Sequence, residues 1–359
     1  MNRVFNFNAG PAAIPQQALE KAQAELLNYN HTGMSVMELS HRSKAYDEIH
    51  NKAINLLKEL MKIPETYEVL FLQGGASLQF AMVPMNFLKK GNIGYYILSG
   101  SWSEKALKEA KKFGETNVLA SSKNTNYTYI PKDFDASSLQ DAAYLHITSN
   151  NTIFGTQWHE FPNTNAPLIA DMSSDILSRE INIEQFDLIY AGAQKNLGPS
   201  GVTVVIIKKE LLEKANQDVP TILNYQTHAS KNSLYNTPPT FAIYMLSLVL
   251  EWVKEQGGVA EIEKRNNKKA NIIYEAIDES DGFFKGHAEK DSRSFMNITF
   301  TLPTDELTKV FVKEASEHQL VGLSGHRSVG GCRASIYNAV SIEACEKLAQ
   351  FMKDFRAKH

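Results

Sequence analysis

The chain has 359 residues, 43% of them hydrophobic and 10% aromatic, which is enough for a large core and leaves room for more than one domain. Its 37 lysine and arginine residues nearly balance 40 aspartate and glutamate residues, with no basic run. These proportions argue against a nucleic-acid partner.

Three features predict a cytoplasmic protein with no membrane segment. The two cysteines, Cys332 and Cys345, are too few for a disulfide framework, so we expect a reducing compartment. The first residues lack the apolar stretch and cleavage site of a signal peptide. The most apolar segment, 241–253, contains Glu251 and is too short to span a bilayer.

Residues 1–15 are aromatic and punctuated by Gly and Pro, so they cannot form one regular element. We predict an extended arm that packs against a small domain or a partner subunit. Helices are predicted at about 16–27 and 45–61, and the polar loop between them contains His41 and Arg42.

From residue 68 onward, predicted strands and helices alternate. This spacing predicts right-handed β-α-β units, a largely parallel sheet and the α/β fold class. Apolar residues at helical spacing follow the first strand, and Ser101 with Glu104 indicates a capping box further on. The strand at 202–207 follows its predecessor too closely for a parallel crossover, so we predict that it is antiparallel. The predicted strands are 68–72, 93–98, 117–120, 143–148, 167–170, 188–191 and 202–207.

The C-terminal part shows a different pattern. After helices at 239–256 and on to about 278, two strands and two helices predict a small α+β domain at 261–359, with the large domain at 16–260. The predicted elements of the small domain are strands 294–300 and 331–336 and helices 305–318 and 342–358.

Lys195 and Asp171 each follow a predicted strand. Lys195 lies in a loop of small and polar residues between two core strands, where a lysine does not reach solvent freely, although a plain turn lysine is an equal alternative. Asp171 taken alone is more often a helix cap. Because the carboxyl ends of parallel strands meet at one edge of a sheet, we expect the two side chains to be close together.

A third element completes a pattern. Gly74 and Gly75 lie between a strand and a helix, where backbone N–H groups and a helix N-terminus can bind a phosphate. A lysine, a carboxylate and a phosphate cradle are what pyridoxal phosphate requires, for the Schiff base, for the protonated pyridine nitrogen and for the phosphate respectively. Trp102 could stack on the ring, or it could be a core residue.

Nine sequence motifs then carry a family resemblance over essentially the whole chain. The chain resembles the phosphoserine aminotransferase family, which consists of fold-type-I pyridoxal-phosphate enzymes among the class V aminotransferases. The motifs are FNAGPAAIP, SVMELSHRS, FLQGGAS, GSWS, HITSNNTIFGTQ, ADMSSD, AGAQKNLGPSG, YNTPPTFAIY and GHRSVGGCRASIYNA.

The resemblance implies roles for individual residues. Lys195 would form the Schiff base and move the proton, and Asp171 would pair with the pyridine nitrogen. In a homodimer with shared sites, Asn236 and Thr237 would reach the cofactor phosphate from the partner subunit. The remaining cofactor contacts would be Ala76, Ser77, Trp102, Thr152 and Gln194. Some family members carry arginine at the position of Ser77, so here the phosphate would depend more on N–H groups and hydroxyls.

The family's substrates imply a cationic binding site, and we assign no metal ligands. Arg333, in an apolar strand, is the candidate for the substrate carboxylate, because a buried guanidinium needs an anionic partner. His41 and Arg42, with His326 and Arg327, would bind the distal phosphate or carboxylate. Glutamate would donate its amine and phosphohydroxypyruvate would accept it, in a ping-pong reaction that gives phosphoserine. The sequence leaves open whether a four-carbon substrate of pyridoxine biosynthesis is used as well.

Two alternatives stay open at this point. A cysteine desulfurase would need Cys332 as a mobile nucleophile, although its strand-like surroundings favour a buried, inert thiol. A pyridoxal-phosphate-binding protein without catalysis is the other alternative, and the complete set of Asp171, Lys195 and arginines argues against it.

Overall fold

The computed structural model describes residues 3–359, so residues 1 and 2 of the predicted arm lie outside the described part. The strands are β1 (Phe5–Asn6), β2 (Tyr67–Leu72), β3 (Ile93–Leu98), β4 (Glu115–Ser121), β5 (Ala142–Thr148), β6 (Asn150–Asn151), β7 (Thr156–Gln157), β8 (Leu168–Asp171), β9 (Leu188–Gly192), β10 (Thr203–Lys208), β11 (Lys285–Gly286), β12 (Asn297–Thr301), β13 (Leu320–Val321) and β14 (Cys332–Ser335). The helices are α1 (Gln16–Glu25), α2 (Lys44–Leu60), α3 (Gly75–Phe87), α4 (Ser101–Ala110), α5 (Lys209–Glu213), α6 (Tyr225–Ser230), α7 (Thr240–Glu255), α8 (Gly258–Asp278), α9 (Asp305–Glu317) and α10 (Ile342–Lys358).

The central sheet has seven strands in the order β2-β10-β9-β8-β5-β3-β4. The pairs from β9 to β4 are parallel, and β10 is antiparallel to both of its neighbours. Side chains along β10 alternate between two cores, with Val204 and Ile206 on one face and Val205 and Ile207 on the other. Both the α/β fold class and the antiparallel position of this strand are therefore confirmed.

The predicted capping box at Ser101 is wrong. The helix α4 begins at Ser101, and Gly100 occupies the position before it. The cap is made by Ser103, whose hydroxyl oxygen accepts hydrogen bonds from the N–H groups of Ser99 (3.1 Å) and Gly100 (3.2 Å). Only Ser101, with Glu104 three residues later, fits the capping-box pattern, so the pattern indicated the wrong serine.

The C-terminal residues build a smaller sheet of three strands, β11-β12-β14. Its core is rich in aromatic rings, and the centroids of Phe300 and Phe311 lie 6.0 Å apart in an edge-to-face arrangement. The arm joins this unit, because β1 pairs in parallel with β13 and Phe7 is fully buried in the same core.

One helix connects the two parts of the chain. Near its start, α8 places Val259 and Ile262 in a core shared with the seven-stranded sheet, whereas Ala270 and Ile273 belong to the C-terminal core. The proposed division at 260/261 thus falls close to the start of a continuous helix, and it stays a prediction. Among residues 3–359, no helix is both long enough and apolar enough to cross a bilayer.

Candidate active site

Lys195 and Asp171 follow neighbouring strands at the same edge of the central sheet. Asp171 is the last residue of β8 and pairs with Tyr190 in β9, and Lys195 comes shortly after β9 ends at Gly192. The negative charge of the Asp171 carboxylate raises the pKa of Lys195. The expected closeness of the two side chains at the carboxyl edge follows from this topology.

The Lys195 ammonium is held by Thr152, because its Nζ donates a hydrogen bond to Thr152 Oγ1 at 2.7 Å. Burial is the main cause that lowers the pKa of Lys195 to about 8, and the charge of Arg333 lowers it further. The charges of Asp171 and Asp175 oppose this shift. A lowered pKa increases the fraction of neutral amine near neutral pH, and the neutral amine is the nucleophilic form.

The N-terminal arm packs directly against the Lys195 loop. The N–H of Ala12 donates to the carbonyl oxygen of Gln194 at 2.9 Å, and the Tyr337 hydroxyl donates to the carbonyl of Ala9 at 2.8 Å. Gly10 has φ +141°, and a Cβ there would lie 3.4 Å from Cγ of Lys195. A side chain at Gly10 would therefore strain the backbone and press on the lysine.

Asp171 is nearly fully buried and is oriented by Ser173. Its Oδ1 accepts hydrogen bonds from the Ser173 N–H (3.0 Å) and hydroxyl (2.6 Å). Burial raises the pKa of Asp171, and the two Ser173 hydrogen bonds and the charge of Lys195 oppose that rise. Within residues 3–359 no hydrogen bond reaches Oδ2, so this oxygen can accept one from a cationic N–H group.

Sequence reasoning missed a second buried acid, Asp175, in the same motif. Its Oδ1 accepts a hydrogen bond from the Ser149 hydroxyl, and its Oδ2 accepts one from Gln157 Nε2 at 3.0 Å. The Ser149 hydroxyl also lies 3.0 Å from the Asp171 carbonyl oxygen. The spacing of the two acids in ADMSSD was the available signal, but it did not show that both point inward.

The turn before α3 leaves the first N–H groups of that helix without a side-chain cap. Gly74 precedes the helix with φ +88°, a conformation that favours glycine. Ala76 and the exposed Ser77 lie in the first turn, where the helix dipole and N–H groups favour an anion. This geometry suits the predicted phosphate cradle.

Trp102 lies in the first turn of α4, just after the short connection from β3. Its ring is only partly buried, and its indole N–H has no hydrogen-bond partner in the described chain. Phe80 lies between Trp102 (6.5 Å between ring centroids) and Tyr190 of β9 (6.2 Å). The tryptophan thus belongs to the aromatic group beside β9, and stacking on a ring stays a prediction.

Arg333 shares Thr152 with Lys195, because its Nη1 donates to the Thr152 carbonyl at 3.3 Å. Burial lowers the pKa of Arg333. Burial lowers the pKa of His326, and the positive charges of Arg333, Arg327 and Lys105 lower it further. His326 thus lies in the same charged group as these three residues. Four basic side chains therefore lie together, which favours an anionic ligand.

Four predicted residues make no hydrogen bond to this group within the described residues. His41 and Arg42 precede α2, where the N–H of the exposed Arg42 donates to Ser40 Oγ at 3.2 Å. Asn236 and Thr237 are exposed, and the Thr237 carbonyl accepts a hydrogen bond from Gln73 at 3.2 Å. Within residues 3–359, none of the four hydrogen-bonds to Lys195, Asp171 or Arg333, so their contacts with cofactor and substrate stay predictions.

Cys332 does not have the environment of a nucleophile. It is fully buried in β14, and burial raises the pKa of its thiol to about 12. A desulfurase needs an accessible thiolate, so the structure disfavours that alternative. We expect Cys332→Ala to retain the wild-type turnover rate, measured at saturating substrate. Loss of turnover with cofactor binding intact would contradict the proposed role of the site.

The pKa of Lys195 predicts how the cofactor-free protein captures an aldehyde cofactor. Only the neutral amine attacks, so the capture rate should rise as pH increases through about 8 and then level off. Stopped-flow absorbance would measure this rate. In Asp171→Asn the charge that raises the lysine pKa is lost, so the midpoint should move to lower pH. A midpoint that stays at the same pH would contradict the coupling of the two groups.

A family model for class V aminotransferases matches residues 4–348. Several curated relatives carry the name phosphoserine aminotransferase. The protein of Geobacillus kaustophilus is 68% identical and is aligned over 100% of this chain and 99% of its own length. That of Bacillus subtilis is 65% identical over 100% of both chains.

Solved structures agree with these relatives. A phosphoserine aminotransferase from Bacillus circulans subsp. alkalophilus has a TM-score of 0.97 at 56% identity, covering 99% of both chains. One from Trichomonas vaginalis, bound to pyridoxal phosphate, has a TM-score of 0.93 at 40% identity and covers 98% of this chain and 100% of that one. The chain belongs to the class V aminotransferase family.

Proposed function

We propose that this protein is a phosphoserine aminotransferase of serine biosynthesis. It would transfer the amino group of L-glutamate to 3-phosphohydroxypyruvate, reversibly, to give O-phospho-L-serine and 2-oxoglutarate. The observation that carries this proposal is the arrangement of Lys195 and Arg333 on the two sides of Thr152, next to Asp171. The relatives of that name, 68% and 65% identical over the full chain, support it.

The residues fit pyridoxal phosphate. Lys195 has a lowered pKa suited to attack on an aldehyde, and Asp171 has one carboxylate oxygen that accepts no hydrogen bond within the described chain. The uncapped start of α3 suits a phosphate group. Ala76, Ser77 and Gln194 would hold that phosphate, Trp102 would lie against the ring and Thr152 would contact the phenolic oxygen.

When bound, pyridoxal phosphate supplies an electron sink for the bond-breaking step at the substrate α-carbon. Lys195 would take the proton from the substrate α-carbon and return it at the cofactor carbon. Thr152 holds the Lys195 amine on the Arg333 side of the site. Asp171 would lie beside the ring nitrogen. Burial raises its pKa, and the Ser173 hydrogen bonds and the charge of Lys195 oppose that rise.

Arg333 would bind the α-carboxylate of both substrates. Arg333→Gln should weaken binding by about 2 kcal/mol or more, roughly 30-fold, since the carboxylate loses its charged partner. The KM values for glutamate and for phosphohydroxypyruvate should both rise. Arg333→Lys is the control for charge alone, and it should recover part of the loss. Unchanged KM values in Arg333→Gln would exclude this role.

We further propose a homodimer in which each site is completed by the other chain. The support is that Asn236 and Thr237 are exposed and do not hydrogen-bond to the Lys195 group of their own chain within residues 3–359. In the dimer, Asn236 and Thr237 of each chain would contact the cofactor phosphate held by the other. His41 and Arg42 would complete the distal anion site of the substrate with His326 and Arg327.

Hybrid dimers test this sharing directly. A hybrid dimer would combine a Lys195→Ala chain with an Asn236→Ala/Thr237→Ala chain. If the sites are shared, one site of this dimer contains both defects and the other site contains none. Mixing the two impaired proteins under exchange conditions should therefore restore activity well above that of either parent. If each chain builds its whole site, the mixture will show no more than the averaged activity of the parents.

We also place the protein in the cytoplasm, and two buried, free cysteines support a reducing compartment.

The pyridoxine-pathway substrate, 3-hydroxy-2-oxo-4-phosphonooxybutanoate, has the same charged ends as phosphohydroxypyruvate. This four-carbon substrate is longer than phosphohydroxypyruvate, and a small difference in length discriminates weakly between substrates. A coupled assay with glutamate as donor would measure kcat/KM for both acceptors. We expect phosphohydroxypyruvate to be used, and a protein that turns over neither acceptor would contradict the proposed function.

A further inference from the structure

A separate cavity of about 710 Å³ lies between the N-terminal arm, the end of α7, the middle of α8 and the start of α10. Its volume is in the range of small-molecule binding sites. Its lining includes none of the residues predicted to hold cofactor or substrate. It is therefore a second place where a ligand could bind.

The charge of this cavity is unbalanced. Four basic side chains line it, Arg3, Arg265, Lys269 and Lys347, against one carboxylate, Glu343. That carboxylate already lies 3.2 Å from the Lys347 ammonium. The other three basic groups are thus left to set the electrostatic potential of the cavity.

These three groups have only neutral hydrogen-bond partners within residues 3–359. Lys269 is 1% exposed, and its Nζ donates to the carbonyls of Ile336 (2.9 Å) and Tyr337 (2.8 Å). Arg265 donates to the Gln256 side-chain oxygen, and Arg3 donates to the Ile14 carbonyl at 3.4 Å. An ammonium has three donors, so Lys269 retains one N–H, and burying such a charge without an anion is costly.

We propose that this cavity binds a small organic anion that carries a phosphate or a carboxylate group. Arg265 and Arg3 would bind the anion with charge-assisted hydrogen bonds, and the third N–H of Lys269 would add to them. The start of α10 also lines the cavity and adds the favourable end of its helix dipole.

The position of the cavity connects it to Lys195. Asn338 lines it, and the Asn338 backbone N–H donates to Asn196 Oδ1 at 3.0 Å. Ala13 and Ile14 of the arm line this cavity and also the space beside Lys195. A bound anion would contact arm residues that also flank Lys195, so we expect it to act on the cofactor site as an effector.

Calorimetric titration of the cofactor-saturated protein with inorganic phosphate tests the proposal. Arg265→Gln should weaken the cavity binding event at least tenfold, which is roughly 1.4 kcal/mol. Lys268→Gln is the matched control, because Lys268 is an exposed lysine on the same helix. It should bind phosphate like the wild type.

Inorganic phosphate also suits the substrate site, so a further variant separates the two events. Arg327→Gln should retain the cavity event. Arg3→Gln, which alters the arm and not the helix, should weaken binding as Arg265→Gln does, and this guards against a folding defect in one variant. Equal binding by wild type and Arg265→Gln, or loss of all binding in Arg327→Gln, would overturn the site.

The connection to Lys195 has its own readout. In Arg327→Gln, which weakens phosphate binding at the substrate site, phosphate should still change the absorbance of the bound cofactor. The double variant Arg327→Gln/Arg265→Gln should lose this change, and Arg327→Gln/Lys268→Gln should keep it. An Arg327→Gln spectrum that does not respond at saturating phosphate would overturn the effector role.

Discussion

Lys195→Ala is expected to lower the transamination rate by roughly 10²–10⁴-fold, the range that a positioned acid–base group contributes. The effect should be at least this large, because the same amine would also anchor the cofactor. Some non-covalent cofactor binding should persist through the start of α3 and Asp171. The coupled assay would measure the rate, and absorbance after dialysis would measure the retained cofactor.

Lys195→Arg is the matched control for this variant. It keeps a cation next to Asp171 and Thr152, so the local electrostatics and the fold should be preserved, but a guanidinium cannot replace the amine. Both variants should lose most of their activity, and Lys195→Arg should keep the wild-type melting temperature when both proteins are measured without cofactor. Near-normal turnover in Lys195→Ala would refute the role of this residue.

Asp171→Asn should cost roughly 10²–10³ in kcat, the size of effect seen when one preorganised electrostatic contact is removed. The asparagine has the same shape and can still accept the Ser173 hydrogen bonds, but it cannot stabilise a positive ring nitrogen. The loss should therefore appear in kcat more than in KM. Steady-state kinetics with both substrates would separate the two constants.

Ser173→Ala is a milder change to the same contact, and its loss of kcat can be compared with that of Asp171→Asn. It removes the 2.6 Å hydroxyl hydrogen bond to Asp171 and leaves the backbone N–H in place, so its effect should be smaller than that of Asp171→Asn. The pKa of Asp171 should rise when this bond is lost, since the bond opposes the effect of burial. Equal activity of Asp171→Asn and wild type would contradict the proposed contact with the ring nitrogen.

Much of the fold could be predicted because hydrophobic periodicity and chain spacing are local signals. The strand 93–98 was predicted with the bounds that the structure shows, and β10 had to be antiparallel because only a short loop precedes it. The closeness of Lys195 and Asp171 was predictable for the same reason, since parallel neighbours bring their carboxyl ends to one edge.

Contacts between distant segments were not predictable. Ser149 and Gln157 hydrogen-bond to Asp175, and the arm reaches the Lys195 loop at Gly10 through a packing arrangement that no local pattern encodes. The cap of α4 is similar, because the pattern of Ser101 and Glu104 indicated a cap that Ser103 makes instead, through the path of the backbone before the helix. The contact that we propose for Asn236 involves a second chain, so hydrophobic periodicity and spacing within one chain do not predict it.

The proposed function is tested most directly by one half-reaction on the purified, cofactor-loaded protein. O-phospho-L-serine and L-serine, which differ only in the phosphate, would be titrated while the yellow colour of the cofactor is followed. Phosphoserine should bleach the colour at concentrations where serine has no effect, because the proposed distal anion site of His326 and Arg327 would bind its phosphate. Equal bleaching by the two amino acids, or bleaching by neither, would contradict the proposed function.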